Sequence, residues 1–132
     1  MKKDHIKNAS WAGLALTLIF TLAFSTAVFA ATKPKISTIE KKTSTSVTLP
    51  ITYKTLKNKK VKVKIQITNK KTDKKTTVTE SAKLNYKGED SVIVDGLTAE
   101  TDYSFKVKIK KTSSKSAKYS SWSNSKETET EK

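Results

Sequence analysis

The segment Gly96–Lys110, GLTAETDYSFKVKIK, turns a corner and then alternates without a break. Tyr103, Phe105, Val107 and Ile109 fall on one face, and Ser104, Lys106, Lys108 and Lys110 on the other. Period-two alternation of this strictness marks a strand with one face in a core and the other in water. The chain is therefore read as β-structure, half buried along its most regular stretch.

Shorter pieces repeat the pattern. Expected strands run over Ile36–Ile39, over Ser46–Tyr53 with Val47, Leu49 and Ile51 inward, and over Lys60–Thr68 with Val61, Val63, Ile65 and Ile67 inward. They continue over Thr76–Glu80, over Ser91–Val94 with Val92 and Val94 inward, over Thr101–Lys111 and over Tyr119–Glu127. Pro50 cannot donate to a ladder, so its strand is expected to kink there or to lack a partner on one side. Leu84 and Tyr86, in the poorly patterned stretch Ser81–Gly88, read as lids on the core. Short strands at regular turn spacing, with no helical period, predict an all-β, immunoglobulin-like antiparallel sandwich of about seven strands. Its expected limits are Ile36–Glu127, after a lead-in at 31–35 and before a disordered tail at 128–132. A domain of this size buries only roughly 60–65% of its unfolded surface, so its core must be well packed.

Met1–Ala30 reads as a secretory signal peptide. Lys2, Lys3 and Lys7 give a basic start, Trp11–Phe24 is almost wholly apolar, and Val28-Phe29-Ala30 offers a small-residue cleavage site. Uncleaved, Trp11–Ala31 is long enough to remain as a membrane anchor. Either way the remaining chain is expected outside the cytoplasm, secreted or at the cell surface.

Charge narrows the choice of partner. The chain carries 27 basic residues against 12 acidic ones, a net +15, and every basic residue is lysine. Lysine is a hydrated point charge on a flexible stem and lacks the planar fork with which arginine grips carboxylate and phosphate. The composition thus argues for diffuse attraction or plain solubility over shaped anion recognition. There is no cysteine, which removes disulfides, thiolate chemistry and cysteine-ligated zinc. The one histidine, His5, lies in the expected leader. Nucleophilic hydrolysis then lacks its base, and no long loop is present to wall a cleft around paired carboxylates. No catalytic residue, cofactor or metal is expected. Asp95, Glu100 and Asp102 gather near the corner without the ligand spacing of a calcium loop and read as turn-shaping acids.

Val94-Asp95-Gly96-Leu97 followed by Thr101-Asp102-Tyr103-Ser104-Phe105-Lys106-Val107 resembles the corner and following strand of fibronectin type III domains, and the strand order of nearly the whole mature chain is similar to theirs. The resemblance implies that Tyr103 is a corner tyrosine whose hydroxyl bonds back to the backbone near Leu97–Ala99, with Gly96 and Leu97 shaping the turn. Two positions depart from the family. Its second-strand tryptophan falls at Ile51 and its corner proline at Ala99, so Leu84, Tyr86 or another side chain must fill the core centre. Tyr119-Ser120-Ser121-Trp122-Ser123 is similar to the WSxWS motif of cytokine-receptor fibronectin domains, where aromatic residues interleave with cations of the neighbouring strand. Here that resemblance implies stacking of Lys106, Lys108 and Lys110 with Trp122 and Tyr119, each contact worth roughly 0.5–1 kcal/mol at an exposed site. Trp122 reads equally well as a cover for the core's edge.

In the implied topology Lys60, Lys62 and Lys64 lie beside Lys106, Lys108 and Lys110 on one sheet face, where facing like charges are destabilising. The functional expectation is an exported, monomeric binding or adhesion module that meets anionic wall polymer, acidic polysaccharide or a protein partner through this face. The competing expectation is a solvated lysine face on a spacer or membrane-tethered accessory domain. Lack of arginine, lack of an ordered aromatic platform and export argue against nucleic acid, and membrane contact is expected only if the leader stays attached.

Overall fold

The most regular stretches of alternation become ladders. The computed structural model describes residues 33–113 and 115–132; the leader and anchor readings of Met1–Ala31 lie outside the described residues. The strands are β1 (Lys35–Ile36), β2 (Val47–Thr52), β3 (Lys60–Asn69), β4 (Lys75–Lys83), β5 (Glu89–Val94), β6 (Asp102–Lys111) and β7 (Lys126–Glu129). They pair antiparallel in a three-stranded sheet of order β1-β2-β5 and a four-stranded sheet of order β4-β3-β6-β7. The result is an all-β sandwich. Among the described residues no helix is long and apolar enough to cross a membrane.

The core lies where the two alternating faces meet. Val61, Val63, Ile65 and Ile67 of β3 and Tyr103, Phe105, Val107 and Ile109 of β6 pack with Val47, Leu49 and Ile51 of β2 and Val92 and Val94 of β5. Phe105, Ile51 and Leu84 are at most 1% exposed. Ile51 therefore sits centrally at the position where the resembled family has tryptophan, and Leu84 is a core residue.

Tyr86 is not a lid, contrary to expectation: it is 69% exposed. The Asn85–Glu89 turn explains the difference. The Asn85 carboxamide oxygen accepts the N–H groups of Lys87 and Glu89, and the Gly88 N–H donates to the Asn85 carbonyl. Gly88 is pressed against the next loop, where an added Cβ would lie 2.8 Å from the Tyr53 carbonyl oxygen, and its φ of +79° is one that glycine alone takes without strain. Residue 86 is left at the exposed tip.

Pro50 sets the length of β1. The strand expected over Ile36–Ile39 pairs only at Lys35 and Ile36. At the next position the Ser37 N–H donates to the Pro50 carbonyl at 3.0 Å, and proline has no N–H to complete the pair. The ladder to β1 stops there. On the other side β2 remains in register with β5 through Pro50↔Ser91.

Three further expectations are corrected. β4, expected over Thr76–Glu80, runs nine residues from Lys75 to Lys83. The strand expected over Tyr119–Glu127 is assigned at Lys126–Glu129, and 128–132 is not a disordered tail. Thr130 is 2% exposed. Its hydroxyl donates to the Thr98 carbonyl at 2.6 Å and accepts the Thr101 N–H, while the Glu131 N–H donates to the Thr43 carbonyl. The chain end thus closes the corner.

Candidate functional site

The outward half of β3 and β6 forms the basic face. Register places Lys62 opposite Lys110 and Lys64 opposite Lys108, while Lys106 faces Gln66. Lys60 lies opposite Lys83 of β4, and its carbonyl accepts the Thr112 N–H just past β6. Seen across β4, the same rows hold Ser81, Thr79 and Thr77. These outward positions contain no carboxylate, so two directly opposed lysine pairs are left unneutralised by side chains of their own rows, a destabilising arrangement.

Aromatic rings relieve it. The ammonium groups of Lys106 and Lys108 lie 5.1 and 4.6 Å from the centre of the Trp122 ring. Those of Lys108, Lys110 and Lys64 lie 5.5, 4.8 and 4.6 Å from the centre of the Tyr119 ring. Along β6 the order is thus Lys106, Trp122, Lys108, Tyr119, Lys110, with Lys64 joining from β3. Each contact contributes roughly 0.5–1 kcal/mol at an exposed site. Lys60 and Lys62, exposed at the end of the face, stand clear of both rings.

The rings are aimed by a register that strand periodicity does not reveal. Residues 117–125 form no regular strand, yet they cover the edge of β6 that β7 leaves open, since β7 pairs only along Asp102–Phe105. The Ser120 N–H donates to the Ile109 carbonyl and the Ser123 N–H to the Val107 carbonyl. In return the Ser120 hydroxyl oxygen accepts the Ile109 N–H at 3.0 Å and the Ser123 hydroxyl oxygen accepts the Val107 N–H at 2.9 Å. Three residues of the segment therefore advance two residues of β6. Tyr119 and Trp122, each preceding such a serine, project together over the alternate lysines. Asn124 continues the fastening: its side chain accepts the Ile36 N–H at 2.9 Å and donates to the Ile36 carbonyl at 3.2 Å, joining the segment to β1. Sequence reasoning missed Ser120, Ser123, Asn124 and Thr130; the signal available was the three-residue repeat of aromatic followed by serine.

The corner residues lie at the opposite end of β6. The Thr98 N–H donates to the Tyr103 hydroxyl at 2.9 Å, and the Leu97 N–H donates to the Thr45 carbonyl. Gly96 needs no extra room for its side, but its φ of +75° calls for glycine. Among the described residues no group of acidic side chains is placed to hold a metal ion, Asp95, Glu100 and Asp102 included. At this end Lys70 pairs with Glu127 at 2.9 Å, and the hydrogen bond and charge of that carboxylate raise the Lys70 pKa. Both side chains are exposed, so the pair stabilises little. A shallow hollow of about 540 Å³ on the three-stranded sheet is bordered by Pro50, Lys83, Glu89 and Asp90; the Asp90 carboxylate is already engaged by the Lys83 and Ser91 N–H groups.

No family model matches the chain, and no curated protein matches it. Among solved structures it is similar to the sensor domain of the anti-sigma factor RsgI4 of Pseudobacteroides cellulosolvens, with a TM-score of 0.52, 16% identity and 74% of each chain covered. It is also similar to a myokine, with a TM-score of 0.54, 14% identity, and coverage of 76% of this chain and 98% of that one. At such identities the likeness is one of fold. It defines the class: an immunoglobulin-like, fibronectin type III-like β-sandwich.

Proposed function

We propose that this chain is an exported, non-catalytic binding module of the fibronectin type III kind, which attaches to an anionic polymer of the cell surface through the outward face of β3 and β6. The reading is supported by one observation above others. Lys62 and Lys64 face Lys110 and Lys108 without a neutralising carboxylate in those rows, and two aromatic rings hold four of the face's ammonium groups in place. A surface serving solubility alone has no need to fix its cations. The similarity of Tyr119–Ser123 to the WSxWS motif extends to this interleaving, with tyrosine and lysine in place of tryptophan and arginine.

The test is retention of the purified protein on anionic wall polymer across a salt series. Binding at low salt that is lost as the Debye length shrinks supports attachment by charge. Retention that persists at high salt, or none at low salt, overturns it. A second reading, a membrane-tethered spacer, is favoured by the largely apolar run of Trp11–Ala31, whose polar interruptions are Thr17, Thr21, Ser25 and Thr26. Sequencing the N-terminus of the native protein separates the two: a start at Ala31 removes the tether.

A further inference from the structure

We infer that the preferred ligand of this face is an acyclic polyol-phosphate chain, rather than a nucleic acid or a ring-built acidic glycan; the inference rests on the binding role proposed above. Its first support is the state of the rings. Proteins that hold single-stranded nucleic acid offer aromatic faces on which bases stack. Here Trp122 already carries the ammonium groups of Lys106 and Lys108, and Tyr119 those of Lys64, Lys108 and Lys110. A base or sugar ring would have to displace a cation that the same ligand needs. A chain without rings meets no such competition.

Spacing is the second support. Lys106, Lys108 and Lys110 follow one another at alternate positions of β6, a repeat of roughly 7 Å along the strand. Phosphates joined through a three-carbon polyol recur at a similar interval. Those of inorganic polyphosphate, joined through single oxygens, are far closer together and would crowd several charges against each lysine. Lysine also suits a phosphodiester as a point charge, without the bidentate fork that a carboxylate or a terminal phosphate rewards. Finally, binding a polymer with free lysines immobilises long side chains, a cost that weakens association. The rings have already ordered Lys64, Lys106, Lys108 and Lys110, so this ligand finds its cations in place.

The experiment compares four probes of equal total charge against the full-length chain by calorimetry at low salt: a glycerol-phosphate oligomer, oligothymidylate, oligogalacturonate and inorganic polyphosphate. The glycerol-phosphate oligomer is expected to bind at least about tenfold more tightly than the others. The triple variant Lys106→Gln, Lys108→Gln, Lys110→Gln should abolish that preference and lower the magnitude of the log–log salt slope by about 2, as expected for three lost phosphate contacts on a single strand. Lys54→Gln with Lys57→Gln, exposed and outside both β3 and β6, should change the preference less than twofold. Circular dichroism checks that each variant retains the sandwich. Equal binding of all four probes, or preference for oligothymidylate or oligogalacturonate, overturns the choice of ligand and leaves the binding face standing. Failure of every probe to bind overturns the binding face as well.

Discussion

Tyr103 is 6% exposed, and its hydroxyl accepts the Thr98 N–H at 2.9 Å. Tyr103→Phe keeps the ring in the core but strands that N–H, so urea denaturation should show a loss of about 1–3 kcal/mol. An unchanged midpoint would mean that water replaces the hydroxyl without cost. Tyr103 and its neighbours were legible because a strand with one buried face writes its burial into the sequence at every second residue. Ser120 and Ser123 were not. Their partners are backbone groups of β6, and a three-for-two register leaves no period-two trace. Tyr86 misled for a related reason: an aromatic side chain signals burial by its chemistry, but the turn built on Asn85 and Gly88 decides where it points.

Among the elements, β3 and β6 followed from their alternation, whereas β4 was read too short because Val78 and Ala82, its apolar side chains, are only partly buried at the sheet's edge. Its full length comes from pairing along β3, from Thr68↔Lys75 to Lys60↔Lys83. The β3–β6 pair also makes two predictions about charge. Lys62→Glu would place a carboxylate opposite Lys110, converting repulsion to attraction and raising stability by about 0.2–1 kcal/mol. The gain should shrink as salt is added; a loss of stability at low salt would show that the opposed lysines do not strain the sheet. Trp122→Ala removes the ring contacts of Lys106 and Lys108 and should lower stability by about 1–2 kcal/mol. Its midpoint should rise more steeply with salt than that of the parent. Parallel salt curves for the two proteins would assign Trp122 to edge packing alone.

At the scale of the whole molecule, the surplus of basic residues, net +15, makes the folded state repel itself. Moderate sodium chloride is therefore expected to raise the melting temperature; a fall or no change between low and physiological salt would show that local pairings already balance the field. Charge was readable from composition, but the fastening of one sheet to the other was not, because Asn124 acts on a residue far away in the chain, Ile36. That fastening has a mechanical consequence. Tension entering through the residues before Lys35 meets two ladder residues of β1, the Ser37–Pro50 bond and the Asn124 side chain, and Asn124 adjoins Ser123, which helps to aim Trp122. We predict that pulling from that side detaches β1 before the rest of the sandwich yields, and that Asn124→Ala lowers the force of this first event. A single rupture at an unchanged force in the variant would count against it. If the first event occurs, load on the N-terminal side loosens the segment that orders the lysines, and the grip of the basic face becomes sensitive to force.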